Sequence, residues 1–248
     1  MYAIFLTGTA GSGKSLLASR LKEWYEKVEA YPAILNLDPG VVTLPYEPDI
    51  DIRDHINIDD IMGKYDLGPN GALIMANDMI GYKLYELQQS IDELNPDYLI
   101  IDTPGQVELF AYRASGQYIV NELIADEKAN IFLFDSILAS LPINYVSIML
   151  LASSIRLRLK IAQINVLSKI DMLKDKNMLK WMRDYSMLEN ELYKEDNELS
   201  LLAVNVTRVL KQGFASSPLP VSSITYEGLA NLIALLSRIF KGGEELEY

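Results

Sequence analysis

The chain has 248 residues, a net charge of −12 and no cysteine. The absence of cysteine excludes a disulfide scaffold, a thiolate metal site and a cysteine nucleophile, and it favours a cytoplasmic protein. The acidic charge disfavours direct binding to nucleic acid, because that affinity depends on lysine and arginine at the phosphates. About half of the residues are hydrophobic, as is typical of a folded globular chain.

Apolar runs alternate with amphipathic stretches along the chain, which predicts an α/β fold with a mostly parallel sheet covered by helices on both faces. The apolar runs predict buried strands at residues 2–7, 33–37, 98–102, 130–134, 162–167 and 219–222. Helical patterns lie at residues 15–28, 71–94, 115–125 and 226–240. We expect a single domain over residues 1–248, with helical insertions at about residues 39–95 and 174–213.

One stretch, residues 136–155, contains no charged residue. Its length is close to the roughly 20 apolar residues that a membrane span requires. Pro142, Asn144 and five serines interrupt it, however. We therefore interpret the stretch as the end of a core strand followed by a buried helix, and we expect no membrane span.

The first predicted strand is followed by a glycine-rich motif of the pattern G-x-x-x-x-G-K-[ST]. The expected nucleotide-binding residues here are Gly8, Thr9, Ala10, Gly11, Ser12, Gly13, Lys14, Ser15 and Leu16. Such a P-loop turns backbone N–H groups toward the β- and γ-phosphates, and the helix N-terminus adds a favourable dipole. Lys14 is expected to bridge phosphate oxygens and Ser15 to bind Mg²⁺. The motif predicts triphosphate binding but does not identify the base.

A second motif, Asp-Thr-Pro-Gly-Gln, begins at Asp102, the last residue of the strand predicted at residues 98–102. An aspartate in this place binds Mg²⁺ directly or through water. Gly105 offers a backbone N–H to the γ-phosphate. Gln106 can accept from a water and donate to phosphate, so it is a candidate for orienting the attacking water. The alternative for Asp102 alone is a polar cap at the end of the strand.

Asp38 follows another predicted strand and begins an Asp-Pro-Gly sequence. Ligands of open parallel sheets bind at the carboxyl ends of the strands, so Asp38 is expected at the same edge as the P-loop and Asp102. There it could position the attacking water or contact hydrated Mg²⁺. The alternative is an aspartate that only starts a turn.

Residues 168–171, which read Ser-Lys-Ile-Asp, are similar to the guanine-reading motif N-K-x-D. The Asp171 carboxylate can accept from both N1–H and the exocyclic amine of guanine, a pair of donors that adenine lacks. The stem of Lys169 can lie over the purine face. Ser168 departs from the motif, in which asparagine normally braces the loop.

Ser222 and Ser223 follow the last predicted strand. They resemble the S-A-K loop, whose backbone N–H meets O6 of guanine. Their position after the lysine-aspartate motif supports guanine as the base.

A Gly-Pro-Asn sequence at residues 68–70 lies between the second predicted strand and the strand that ends at Asp102. With the P-loop, D-T-P-G-Q and S-K-I-D in this order, the chain resembles the GPN-loop GTPases from Leu6 to its last helix. These are dimeric P-loop GTPases of archaea and eukaryotes. The chain has no long acidic tail, so it looks more like an archaeal member.

The resemblance implies a homodimer that hydrolyses GTP with Mg²⁺. In this dimer Gly68, Pro69 and Asn70 of one subunit approach the γ-phosphate of the other. Pro69 would stiffen the turn, and Asn70 would donate an amide hydrogen to the charge that develops on the γ-phosphoryl oxygens. The alternative is an ordinary turn in which Asn70 caps a helix over residues 71–94. The expected catalytic residues are Lys14, Asp38, Asn70, Asp102 and Gln106.

Two other functions stay open. One is a P-loop kinase whose insertions form a lid, although Arg53, Arg113, Arg156 and Arg158 are scattered rather than grouped as a lid would require. The other is a non-hydrolytic scaffold in which GTP only holds the dimer. In eukaryotes the family is linked to the assembly of RNA polymerase and related complexes, so the resemblance also implies a protein client and a chaperone-like role.

Overall fold

The computed structural model describes residues 1–173, 177–194, 197–214 and 217–241, and within these ranges seven strands form one sheet. In chain order they are β1 (Tyr2–Gly8), β2 (Pro32–Asn36), β3 (Ile50–Asp51), β4 (Tyr98–Asp102), β5 (Glu127–Asp135), β6 (Ala162–Ser168) and β7 (Leu219–Pro220). Their order across the sheet is β3-β2-β4-β1-β5-β6-β7, and each ladder between these strands is parallel. The prediction of a parallel α/β P-loop fold is confirmed.

Helices lie between the strands and after the last one. They are α1 (Lys14–Lys27), α2 (Ile58–Tyr65), α3 (Pro69–Ile80), α4 (Leu84–Leu94), α5 (Val107–Ala111), α6 (Ala114–Glu122), α7 (Pro142–Leu159), α8 (Met178–Trp181), α9 (Tyr185–Tyr193), α10 (Glu198–Val209) and α11 (Leu229–Phe240).

Both faces of the sheet are covered, as the central strand β1 illustrates. Ala3 and Phe5 pack into a core shared with helices α2 to α10, whereas Ile4 and Leu6 pack into a second core against α1 and α11. Successive side chains of a strand point to opposite faces. A strand with a helical layer on each face therefore has to be apolar at consecutive positions, which is why β1 was recognisable as a continuous apolar run.

Two predictions for the segment at residues 39–95 need correction. The segment was expected to be a helical insertion, but besides helices it contains β3, which at two residues is too short to show a pattern. The single helix predicted over residues 71–94 is two helices, α3 and α4, joined by a 3₁₀ turn at Gly81–Lys83. Gly81 begins that turn, and glycine is a poor helix former.

The uncharged stretch at residues 136–155 begins just after β5 and forms a 3₁₀ turn at Leu138–Ser140 and most of α7. Tyr145 and Ile155 of α7 are fully buried, in agreement with the predicted buried helix. In the described part of the chain, no helix combines the length and the hydropathy that crossing a membrane would require. The second predicted insertion, residues 174–213, contains α8, α9 and α10, and its residues 174–176 and 195–196 lie outside the described residues.

Candidate functional site

Most of the predicted site residues gather at the carboxyl edge of the sheet. β1 ends at Gly8, β2 at Asn36, β4 at Asp102 and β6 at Ser168. Because these strands are parallel members of one sheet, their ends lie at one edge, where ligands of such sheets bind. The sheet therefore brings the P-loop, the turn at Asp38, the D-T-P-G-Q loop and the S-K-I-D loop close together.

The P-loop backbone has a conformation that depends on glycine. Gly8, Gly11 and Gly13 have φ angles of 151°, 72° and 93°, which residues with side chains rarely adopt. At Gly8 a Cβ atom would also lie 2.6 Å from the carbonyl oxygen of Leu133 on β5. The α-helix α1 begins directly after Gly13, so the N–H groups of its first turn are open to an anion.

Lys14 is buried at the start of α1, with 6% of its surface exposed. Its ammonium donates to the carbonyl oxygens of Gly8 at 3.3 Å, Thr9 at 3.2 Å and Gly105 at 3.3 Å. Burial lowers the pKa of Lys14, and the carboxylates of Asp102 and Asp38 partly oppose this change. The contacts are long and their acceptors neutral, so an anionic acceptor would hold the ammonium more strongly.

Three buried side-chain oxygens around this loop have no hydrogen-bond partner in the described ranges. They are Thr9 Oγ1, Ser12 Oγ and Asp102 Oδ1. Buried polar atoms without partners are uncommon in folded proteins, because leaving them unpaired costs free energy. Their concentration at one place is typical of a site that takes a polar ligand.

Asp102 is the carboxylate that the sequence assigned to the metal, and only 2% of its surface is exposed. The Tyr46 hydroxyl donates to its Oδ2 at 2.8 Å. Burial raises the pKa of Asp102. The Ser15 side chain, the Tyr46 hydroxyl and the Lys14 ammonium act against this rise in pKa without reversing it. Burial and the Asp102 carboxylate in turn raise the pKa of Tyr46, so its hydroxyl keeps its proton.

The donor set at Asp102 fits Mg²⁺. The unpartnered Oδ1 and the Ser15 hydroxyl are hard oxygen ligands of the kind that Mg²⁺ prefers. Over the described residues there is no cluster of three or more His, Cys, Asp or Glu that could hold a metal. The ion would therefore take its other ligands from phosphate oxygens and water, as Mg²⁺ usually does in nucleotide sites.

The Asp38 carboxylate links two loops of the site. Its Oδ1 accepts from the Gly40 N–H at 2.9 Å, and its Oδ2 accepts from the Gly105 N–H at 3.0 Å. The bond to Gly40 closes the Asp-Pro-Gly turn, as the alternative interpretation of Asp38 expected. The bond to Gly105 reaches the D-T-P-G-Q loop. The N–H that the sequence assigned to a γ-phosphate is thus bonded to Asp38 in this structure.

A cluster of polar side chains that the sequence analysis did not identify lies next to Asp38 and forms hydrogen bonds with it. The Asn36 side chain accepts from the Asp38 N–H at 3.0 Å and donates to Asp51 Oδ1 at 2.9 Å. Arg53 donates to Asp51 Oδ2 at 2.6 Å and to the Val41 carbonyl at 3.1 Å. The available signal was a polar residue at the end of an apolar strand and an Asp-x-Arg sequence that begins 15 positions later, but neither identifies its partner.

Gln106 and Asn70 lie at helix starts and are both exposed. Gln106 precedes α5 and its side chain makes no capping bond. Asn70 is the second residue of α3, which begins at Pro69 after Gly68, so the interpretation of Asn70 as the cap of this helix is wrong. Proline suits the first helical position, where a backbone N–H would be unpaired. Within the described chain the Asn70 side chain has no hydrogen-bond partner, and Gly68 and Pro69 are exposed too.

The S-K-I-D loop at the end of β6 forms hydrogen bonds with the P-loop. The Ser168 hydroxyl donates to the Ser12 carbonyl at 2.7 Å and lies 3.0 Å from the Phe134 carbonyl. The Lys169 ammonium donates to the Gly11 carbonyl at 2.5 Å and pairs with Asp135 Oδ2 at 2.7 Å. Serine therefore braces the loop here, in the place where the motif normally has asparagine.

The two loops that were predicted to read the base are joined directly. The Ser222 hydroxyl donates to Asp171 Oδ1 at 2.6 Å and accepts from the N–H groups of Ile224 at 3.2 Å and Thr225 at 3.0 Å. Asp171 is exposed, so its other oxygen is open to a ligand. This pairing supports the expectation that both loops contact the same group.

Arg20 of α1 connects the second of these loops to the helix that follows the P-loop. Its Nε donates to the Ser223 carbonyl at 2.9 Å, and its guanidinium lies 5.1 Å from the centre of the Tyr226 ring. Glu23 accepts from both Arg20 and the Tyr226 hydroxyl. Helix α1 therefore links the P-loop, where the phosphates are expected to bind, to the loop at Ser223 that is expected to contact the base.

Most of the chain is similar to known proteins. Residues 6–242 match the family described as conserved hypothetical ATP binding protein. The chain is 32% identical to GPN-loop GTPase 1 of Schizosaccharomyces pombe, over 98% of this chain and 70% of that relative. GPN-loop GTPase 1 of Dictyostelium discoideum is also 32% identical, over 91% of this chain, and the match spans 58% of that relative's length.

A solved structure is similar as well. The crystal structure of a GTPase from Pyrococcus abyssi in its apo form superimposes with a TM-score of 0.86 at 30% sequence identity. The match covers 96% of this chain and 97% of that one. The likeness in fold and length is therefore nearly complete.

Proposed function

Since the chain belongs to the GPN-loop GTPase family, we propose that it is a Mg²⁺-dependent enzyme that binds and hydrolyses GTP as a homodimer. One observation carries the proposal: the P-loop, the buried Asp102 with an unpartnered oxygen and the Asp171–Ser222 pair lie along one edge of the sheet. The family description names ATP, whereas these relatives are named GTPases. The open carboxylate oxygen of Asp171 supports guanine, because adenine lacks its pair of donors.

The phosphates would be held at the start of α1. Lys14 would leave the neutral carbonyls for the β- and γ-phosphate oxygens, and the N–H groups of the P-loop would surround them. Ser15 and Asp102 would hold Mg²⁺, directly or through water. A bound Mg²⁺ supplies positive charge that offsets the charge developing on the phosphates.

Water would be positioned between Asp38 and Gln106. A γ-phosphate that takes the Gly105 N–H would replace the bond to Asp38 Oδ2 and leave that oxygen free to accept from a water. Gln106 follows on the same loop and is exposed, so its amide would be available to the same water. Orientation and electrostatics account for most of the catalysis in this chemistry, so no strong base is needed.

We infer that Asn70 acts in the second subunit. Its side chain is exposed and unpartnered within the described chain, and Pro69 fixes the backbone before it. Loops at the same edge expose Val42 (91%), Ile137 (49%), Leu138 (48%) and Leu141 (56%). Exposed apolar side chains beside a ligand site support an interface, and a second copy of the chain with two-fold symmetry would cover them.

The cellular role would be assembly of other proteins. We propose a protein client such as an RNA polymerase-related complex in the cytoplasm, which rests on the family resemblance. Direct binding to nucleic acid is not expected, because the net charge is −12.

Release of inorganic phosphate from GTP and from ATP, measured with Mg²⁺ and with a chelator beside the mass of the particle, tests the proposal. We expect Mg²⁺-dependent release from GTP, little from ATP, and a particle of twice the 27.9 kDa chain. Equal use of ATP would contradict the guanine assignment. Binding of GTP without phosphate release would favour the non-hydrolytic scaffold, and a monomer that turns over GTP would contradict the contribution of Asn70 from a second subunit.

A further inference from the structure

Tyr46 connects the segment between β2 and β3 to the end of β4. Its hydroxyl donates to Asp102 Oδ2 at 2.8 Å across 56 positions of sequence. Its ring is partly buried against the core that lies under α1 and α11. The chain therefore brings one hydroxyl donor to one oxygen of the carboxylate, through a side chain whose ring is fixed by packing.

The segment that carries Tyr46 is held at both ends. Arg53 donates to the Val41 carbonyl at 3.1 Å. At the other end the Asp49 N–H donates to the Ile34 carbonyl at 3.0 Å, and the Asp49 carboxylate accepts from the Ile34 N–H at 2.7 Å. Pro45 directly precedes Tyr46, and proline restricts the backbone further. Because the Tyr46 hydroxyl is held in place, it favours one orientation of the Asp102 carboxylate that accepts from it.

The consequence is an asymmetric carboxylate. Oδ2 of Asp102 is occupied by Tyr46, whereas Oδ1 is buried and has no hydrogen-bond partner among the described residues. The Ser15 side chain also interacts with this carboxylate. Without the hydroxyl, the carboxylate could turn either oxygen toward the Lys14 ammonium, whose charge already interacts with it. Such a pairing would compete with a cation for the same oxygens.

We propose that Tyr46 is a positioning residue for the metal site: by occupying Oδ2 of Asp102 it directs Oδ1 toward Mg²⁺ or a water on Mg²⁺. This inference rests on the proposed function and names a residue that deepens it. Groups that hold a metal ligand in place typically contribute about 10–100-fold to metal affinity. A structural role for the hydroxyl would instead affect folding or nucleotide binding equally at every Mg²⁺ concentration.

The test compares Tyr46→Phe with Tyr25→Phe. Each substitution removes one partly or fully buried hydroxyl and keeps the ring, but the Tyr25 hydroxyl has no hydrogen-bond partner within the described ranges. The rate at which a fluorescent, non-hydrolysable GTP analogue is released is measured while free Mg²⁺ is titrated. We expect Tyr46→Phe to need about tenfold more Mg²⁺ for half-maximal retention, and Tyr25→Phe to match wild type.

Two further measurements separate positioning from packing. With saturating Mg²⁺ the kcat of Tyr46→Phe should return close to that of wild type. In an Asp102→Asn background, Tyr46→Phe should add little further loss of Mg²⁺ affinity, because the two residues act through one contact. Additive losses would show that Tyr46 acts elsewhere and would overturn the inference.

An unchanged Mg²⁺ requirement in Tyr46→Phe would overturn the inference while leaving the proposed function intact. So would faster release by the same factor with and without Mg²⁺. Failure of the proposed function is seen separately, in wild type alone, as an absence of Mg²⁺-dependent retention of the GTP analogue.

Discussion

The P-loop region and the base-reading loops satisfy their polar groups in different ways. The first, which we call the phosphate end, leaves Thr9 Oγ1, Ser12 Oγ and Asp102 Oδ1 buried without partners in the described chain. The second, the base end, pairs Asp171 with Ser222. The phosphate end therefore keeps buried oxygens that a polar ligand could pair, whereas the Asp171 carboxylate at the base end is already paired within the protein. Changes at the phosphate end should affect catalysis most, and changes at the base end should affect affinity by smaller factors.

Lys14→Ala should have the largest effect. Loss of the cation at the phosphates should lower GTP turnover by more than about 10³-fold, since removing even one neutral donor from a charge-stabilising site costs ~10²–10³. The melting temperature without nucleotide should change little, because burial disfavours the charged form of Lys14, whereas its loss removes a charge that favours the buried Asp102 carboxylate. Phosphate release and thermal unfolding measure the two effects. Near-normal turnover would remove Lys14 from the catalytic set.

Asn70→Ala should lower turnover by ~10²–10³ with GTP binding and dimerisation preserved. Its melting temperature should also be preserved, because Asn70 is not the cap of α3. Mixing this variant with Lys14→Ala should restore part of the activity: in a mixed dimer, the intact loop of one chain meets the intact P-loop of the other. Mass measurement must first show that mixed dimers form. Mixed dimers without recovered activity would mean that Asn70 serves its own subunit or has no catalytic role.

Asp38→Asn and Gln106→Ala should each lower kcat by about 10²-fold and change GTP affinity much less, because orientation of water matters mainly in the transition state. Asp38→Asn keeps an acceptor for the Gly40 N–H, so the turn is preserved. Single-turnover rates and equilibrium binding separate the two effects. If both variants lost only affinity, neither residue would position the water.

Asp171→Asn should weaken GTP binding by about 10–100-fold, the effect of losing charged hydrogen bonds, and should leave kcat at saturating GTP nearly unchanged. Competition between GTP and ATP measures the loss of selectivity. Ser222→Ala is the matched control: it removes the bond to Asp171 but keeps the carboxylate, so a smaller loss is expected. Unchanged selectivity for GTP over ATP in Asp171→Asn would contradict the assignment of this end to guanine.

Arg20→Gln should have the smallest effect. It removes the bond to the Ser223 carbonyl and the contact with the Tyr226 ring, so about 1 kcal/mol, or fivefold in GTP affinity, is expected. Turnover at saturating GTP should not change. A loss of kcat as large as that of Asp38→Asn would show that the two ends are not separable.

The motifs could be predicted from the sequence because their chemistry is local. The P-loop needs glycines where φ is positive, and Gly11 and Gly13 have φ angles of 72° and 93°. Strand β1 packs against helices on both faces and is therefore apolar without interruption. Asp102 ends its strand, so the parallel sheet brings it to the edge where the P-loop lies.

What the sequence could not determine depends on contacts between distant positions. Tyr46 reaches Asp102 across 56 positions, and the Gly105 N–H reaches Asp38 across 67. No local pattern marks such partners, because the order of the strands and the path of the loops decide which side chains meet. The sequence by itself determined the fold class, the P-loop and the residue types suited to phosphate, metal and guanine. Only the tertiary structure decided which oxygen of Asp102 stays free, because that choice depends on a hydroxyl delivered by a separate loop.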